Sequence, residues 1–188
     1  MRDDCEDVPT FYCNTMKQFS SCASALRQCA ELYCKIWKEP PWCEDFWKAP
    51  EVLQMMEKEM QRPDAECFLA VKTKQLIVIG FTWGYSVDRQ ELAEISGGNR
   101  LDFITENTPR VFYIDELGVD PASRLNRVGN TLTRELIGHA KERGHRRIVV
   151  RTDLRAIPAR ILYGRHGFIE LNVKDERHEN RNYWLLNL

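Results

Sequence analysis

Hydrophobic residues recur at helical spacing in the first third of the chain and crowd into β-branched and aromatic runs later, so helices are expected early and strands after them. Ser20 to Lys38 places Cys22, Leu26, Cys29, Tyr33 and Trp37 on one helical face, and the Pro40-Pro41 pair stops the pattern. Glu44 to Gln61 predicts a second helix, bounded by Pro63. Ahead of both, "TFYCNTM" predicts a short first strand.

The runs "CFLAVK" and "QLIVIGFTWGYSV", separated by Thr73 and Lys74, predict an antiparallel hairpin. From Asp88 to Pro109 the periodicity weakens and Gly97-Gly98 breaks it, which predicts a partly helical insertion. "RVFYIDELGV" resumes a strand. A helix carrying Leu125, Val128, Leu132 and Leu136 on one face then runs to about Arg143, where Gly144 ends it. "RRIVVRT" predicts another strand, Pro158 to His166 a short helix broken by Gly167, and "FIELNV" and "NYWLLNL" two closing strands. The expected fold is α/β (α+β): a mixed, mainly antiparallel sheet of about six or seven strands flanked by helices, in one domain over residues 1–188.

Composition narrows the function. A net charge of −1 excludes wholesale attraction to nucleic acid or membrane, and the N-terminus "MRDDCEDVPTF" lacks the basic start and apolar run of a secretory signal. The expected compartment is the cytoplasm. All seven cysteines precede residue 68 without a C-x-x-C pair or a nearby histidine, so they are expected as reduced core thiols, with no metal site. A homodimer is left open.

The start of the helix after "YIDELGV" departs from helix chemistry. Arg124, Asn126, Arg127 and Gly129 stand where acidic residues suit the helix dipole and where glycine weakens the helix. A helix start offers unpaired backbone N–H groups to an anion; Gly129 leaves the backbone open, and Arg124 and Arg127 add charge, so the missing negative charge is expected from a phosphate-bearing ligand.

The segment "RLNRVGN" resembles the coenzyme A pyrophosphate-binding motif Arg/Gln-x-x-Gly-x-Gly/Ala of the GNAT superfamily of acyl-CoA-dependent N-acyltransferases, with Arg127 in place of the first glycine. "ARILYGRHGF" resembles that family's Leu-Tyr-x-x-x-Gly-Phe segment through Leu162, Tyr163, Gly167 and Phe168, and the likeness spans about Ala65 to Leu188. The resemblance implies acetyl-CoA as co-substrate and no metal. It implies a cofactor site over Arg124, Leu125, Asn126, Arg127, Val128, Gly129, Asn130 and Thr131, with Leu117, Gly118 and Val119 pairing with the pantetheine arm and Asp153 a further contact. Gly118 is expected to let its strand bulge.

The resemblance also implies transfer of an acetyl group to a primary amine by direct attack. Tyr163 is then the general acid that protonates the departing sulfur. Asp115 and Glu116 alternate along their strand and are expected on opposite faces, so one of them addresses the substrate; Glu116 is the candidate base, acting directly or through a water. Glu91, Glu94, Asp102 and Glu106 are candidates for an acidic wall beside a cationic amine, and "WKEPPWCEDFW" for an aromatic one. The acceptor is a small-molecule or a peptide amine, and a non-catalytic acyl-CoA sensor is the alternative.

Overall fold

The computed structural model describes residues 11–15, 23–72 and 75–188. Strand β1 (Phe11–Thr15) leads to helices α1 (Ala23–Trp37) and α2 (Ala49–Glu59), and strands β2 (Glu66–Lys72) and β3 (Ile77–Val87) follow. Next come α3 (Arg89–Ser96), α4 (Asp102–Thr105), β4 (Val111–Val119), α5 (Val128–Glu142), β5 (Arg147–Asp153), α6 (Ile157–Arg165), β6 (Ile169–Lys174) and β7 (Arg181–Asn187). The strands form a seven-stranded sheet in the order β1-β2-β3-β4-β5-β7-β6, antiparallel at every step except the parallel pair β4–β5. This is the mixed, mainly antiparallel sheet expected.

Each face of the sheet carries a layer. On one side Cys29, Tyr33 and Trp37 of α1 and Val52 and Met56 of α2 bury against Phe81, Trp83 and Leu69, with Leu26 partly buried beside them. Cys22 lies outside the described residues. Leu92 of α3 and Leu101 and Ile104 near α4 extend this layer over Tyr85, Tyr113 and Tyr183. On the other side Val128, Leu132, Leu136 and Ala140 of α5 and Tyr163 of α6 cover Ile79, Phe112, Ile114 and Val150. The alternation of strand side chains fixes this division.

Element bounds depart from expectation where proline or loop geometry decides them. The second helix begins at Ala49 rather than Glu44, with Pro50 in its first turn, where a missing N–H costs nothing. The "VDPASRLNRVGN" segment holds no helix before Val128: a 3₁₀ turn at Pro121–Ser123 is followed by a loop, and Leu125 in it is fully exposed instead of facing the core. The insertion folds as α3 and α4. Asp88 and Glu91 form a reciprocal capping box at the start of α3, and Gly97, in left-handed conformation, ends it.

Candidate active site

Strand β4 positions the site through two irregularities. Its pairing with β5 ends at Ile114–Val150, so the residues from Asp115 to Val119 leave β5 and a gap opens between the strands. Its register with β3 also slips: Trp83 pairs with Glu116 and Gly84 with Ile114, leaving Asp115 as the bulged residue. The bulge therefore sits at Asp115 and not at Gly118. Gly118 serves close packing, since a Cβ there would stand 2.4 Å from Phe81 Cζ; one on Gly84 would meet the Tyr113 carbonyl at 2.4 Å.

The bulge reverses the expected division of the two carboxylates. Instead of opposite faces, Asp115 and Glu116 both turn toward the α1–α2 layer: Tyr85 Oη donates to Asp115 Oδ2 at 2.8 Å, and Tyr33 Oη to Glu116 Oε1 at 3.0 Å. An extra residue restarts the two-residue alternation, so neighbours in sequence become neighbours on one face. Burial pushes both carboxyls above the ordinary range, and the negative charges of Asp115 and Glu59 push Glu116 further. Both keep part of their surface open to solvent.

Across the gap stands Tyr163 of α6, packed 5.5 Å ring to ring from Phe168 and nearly buried. Burial and the Glu116 charge raise its hydroxyl above the usual tyrosine value, so the phenol keeps its proton. Among the described residues that hydroxyl has no hydrogen-bond partner.

The loop into α5 is shaped for an anion. Leu125 and Arg127 adopt the left-handed conformation, with φ of 66° and 62°, and Arg127 does so as the residue preceding α5. Its carbonyl already accepts the Thr131 amide at 2.9 Å, while the amides of Val128, Gly129 and Asn130 have no acceptor within the helix. Arg124, Leu125, Asn126, Arg127 and Asn130 are exposed around them, and Gly129 and Thr131 are partly so. A Cβ on Gly129 would make ordinary contacts with Leu162 at 3.4 Å and Val119 at 3.6 Å, so packing inside the protein does not require glycine there. Arg124 is engaged elsewhere, donating to Glu39 at 2.7 Å and to the Val119 carbonyl at 3.2 Å.

Leu117 and Val119 pack toward α5, and Gly118 lies between them. Asp153 ends β5 on the far side of the gap, but Arg155 holds its carboxylate through three hydrogen bonds of 2.8–2.9 Å and lowers its pKa. A polar cavity of about 160 Å³ adjoins it, lined by Pro41, Trp42, Arg155, His178, Glu179 and neighbours. The acidic wall is largely spent in ion pairs. Glu91 caps α3 and pairs with Arg62 and Arg110, and Asp102 pairs with Arg89. Of the aromatic stretch, Trp37 is core, Trp47 packs against it and Trp42 reaches the cavity.

Three residues that sequence reasoning passed over complete the surroundings. Glu59, the last residue of α2, accepts from Trp83 Nε1 at 2.7 Å beside Asp115. Arg151 of β5 bonds Asp175 at 2.9 Å and lends its charge to Asp115 and Glu116. In the sequence Glu59 reads as one more charge on a solvated helix, and no local pattern marks it. Among the described residues no group of three or more His, Cys, Asp or Glu is arranged to hold a metal ion, and Cys29, Cys34, Cys43 and Cys67 are free thiols.

A parallel strand pair that splays beside a helix start, with a polar pair facing across the split, defines a cofactor-gripping transferase scaffold. The chain belongs to the acetyltransferase (GNAT) family, whose model matches residues 27–168. No curated protein sequence matches it. Its fold is similar to that of the NatC complex bound to Gag peptide and CoA, at 15% identity over 95% of this chain and 98% of that one, with a TM-score of 0.68. Similar too are Arabidopsis thaliana NAA60 in complex with acetyl-CoA (15% identity, 95% and 99% covered, TM-score 0.67) and yncA of Salmonella typhimurium with acetyl-CoA (14%, 95% and 94%, TM-score 0.63). At these identities the likeness is one of fold. No helix among the described residues is long and apolar enough to cross a membrane.

Proposed function

We propose that the chain is an acetyl-CoA-dependent N-acetyltransferase of primary amines. The observation that carries this reading is the bulge at Asp115: it turns Glu116 to the mouth of the β4–β5 gap, opposite the unpartnered Tyr163 hydroxyl, with the open amides of α5 at the end of the same gap. Those amides, the exposed Arg127 and the room beside Gly129 suit a pyrophosphate, and the β4 edge from Leu117 to Val119 suits an extended amide-bearing arm. Coenzyme A has both, and it supplies the acetyl group as a thioester.

The chain's own residues then move protons. An amine arrives as an ammonium, and Glu116, directly or through a water, takes one proton, which later passes to solvent. The freed nitrogen attacks the acyl carbon as the carbon–sulfur bond breaks. Tyr163 gives its hydroxyl proton to the sulfur and recovers one from the nitrogen, so the products are amide and thiol. The raised Glu116 carboxyl suits a base working near neutral pH, and the raised Tyr163 keeps the acid in its donating form.

A panel of small amines and peptides incubated with acetyl-CoA, scored by mass spectrometry for acceptors heavier by one acetyl group, tests the proposal. Transfer to an amine that Glu116→Gln slows supports it. Binding of acetyl-CoA with no transfer to any acceptor favours the sensor.

A further inference from the structure

Outside the pair assigned above lies a third carboxyl group with no role in the proposed chemistry. Glu59 ends α2 directly over the bulge, and its side chain is hydrogen-bonded to that of Asp115. Two carboxyl groups can make that bond only with a proton between them. Every other contact agrees with Glu59 as the protonated partner: Trp83 Nε1 donates to its Oε2 at 2.7 Å, leaving the other oxygen to donate to Asp115, which accepts as well from Tyr85 at 2.8 Å.

We propose that Glu59 is a positioning residue that keeps a proton between itself and Asp115, so that Asp115 is already satisfied and Glu116 is left as the carboxylate that accepts a proton from the substrate. The inference rests on the assignment of Glu116 as base. The groups facing the pair are Trp83 and Tyr85 of β3, Glu116 of β4, Arg62 beyond α2 and Arg151 of β5, with Tyr33 of α1 bonded to Glu116. The cationic groups do not hold Glu59 ionised. Burial and the Asp115 charge push its carboxyl up to about 8, so the proton stays at neutral pH and leaves just above it.

Glutamine is the isostere of this protonated state. Its carbonyl can accept from Trp83 and its amide can donate to Asp115, but it has no proton to lose. Leucine offers neither.

The first test needs no acceptor. The infrared spectrum of the wild type at pH 7 should contain the carbonyl band of a buried protonated carboxyl group, and Glu59→Gln should remove it. The wild type should also lose melting temperature between pH 7 and 9 more steeply than Glu59→Gln. A spectrum that the substitution leaves unchanged, together with parallel stability curves, overturns the inference whatever the catalytic reading becomes.

The second test uses an acceptor found in the panel. Glu59→Leu should lose at least tenfold in kcat, or shift the acid limb of the pH–rate profile, while Glu59→Gln restores both toward the wild type. Equal loss in the two variants overturns the positioning role, and transfer that responds to Glu59 but not to Glu116→Gln overturns the underlying assignment of the base instead.

Discussion

Tyr163 is the residue whose packing and chemistry separate most cleanly. Its ring lies in the core with Ile114, Leu136 and Phe168, while its hydroxyl is free. Tyr163→Phe should melt within a degree or two of the parent and bind acetyl-CoA equally well, while kcat falls by about 10²- to 10⁴-fold, the usual share of a general acid. A single-turnover measurement checks it, and an unchanged rate leaves Tyr163 as a packing residue. For Glu116 the sign follows from its surroundings. Burial and two negative neighbours raise its carboxyl, so the base is protonated at a higher pH than an ordinary glutamate near 4.3, and kcat/KM should fall on its acid side above that value. Arg127 makes a third case. Its left-handed φ of 62° falls where the family motif has glycine. Such a conformation strains a side-chain-bearing residue by about 1–2 kcal/mol, partly offset in a glycine variant by the freer unfolded chain. Arg127→Gly should therefore not lower the unliganded melting temperature, yet weaken coenzyme A binding by about tenfold through the lost charge. Titration calorimetry at two salt concentrations measures this, and unchanged affinity removes Arg127 from the site.

At the scale of elements, the same α5 start gives a complementary test. Because a Cβ on Gly129 meets nothing closer than 3.4 Å, Gly129→Glu should fold, while its bulk and charge meet the pyrophosphate; the melting-temperature rise given by coenzyme A should vanish. A retained rise removes the phosphate turn from this helix. The α5 site was legible because it is local: glycine and arginine at a helix start contradict helix propensity in a stretch a dozen residues long. Strand order was legible too, since buried runs such as "RIVVRTD" and "FYIDELGV" have few alternative faces. The bulge was not. Alternation predicts opposite faces for Asp115 and Glu116, and the slip of one residue that joins them is set by pairing with Trp83 and Gly84, about thirty residues away. Glu59 was illegible for a related reason: its partner Asp115 lies on another element, reached only when α2 folds over the sheet. Arginines told least. A basic half suggested a field for phosphates, but Arg151, Arg155 and Arg160 are committed to Asp175, Asp153 and Glu170.

At the scale of the whole molecule, one buried charge links the two sides of the site. Asp175, at the end of β6, has a fully buried side chain and accepts Arg151 Nη1 at 2.9 Å, Tyr183 Oη at 2.6 Å, and the backbone amides of Arg177 and His178 at 2.9 and 2.8 Å. These donors hold its carboxyl below the ordinary range despite burial. The loop it anchors carries His178, Glu179 and Asn180 along the cavity, and Arg151 faces the carboxylates at the bulge. Asp175→Asn removes a buried charge opposite Arg151 and turns an amide toward donors, a loss of about 3–5 kcal/mol for a broken buried pair. The variant should melt several degrees lower and bind an acceptor more weakly, raising its KM severalfold. The coenzyme A-induced rise should persist, because Asp175 touches nothing in the α5 loop. Arg151, deprived of its counter-ion, should favour ionised Glu116 and move the acid limb of the rate profile to lower pH. Steady-state kinetics over pH, on protein shown folded by circular dichroism, decides the matter: unchanged acceptor KM and an unmoved acid limb reduce Asp175 to a stabilising contact with no bearing on the site.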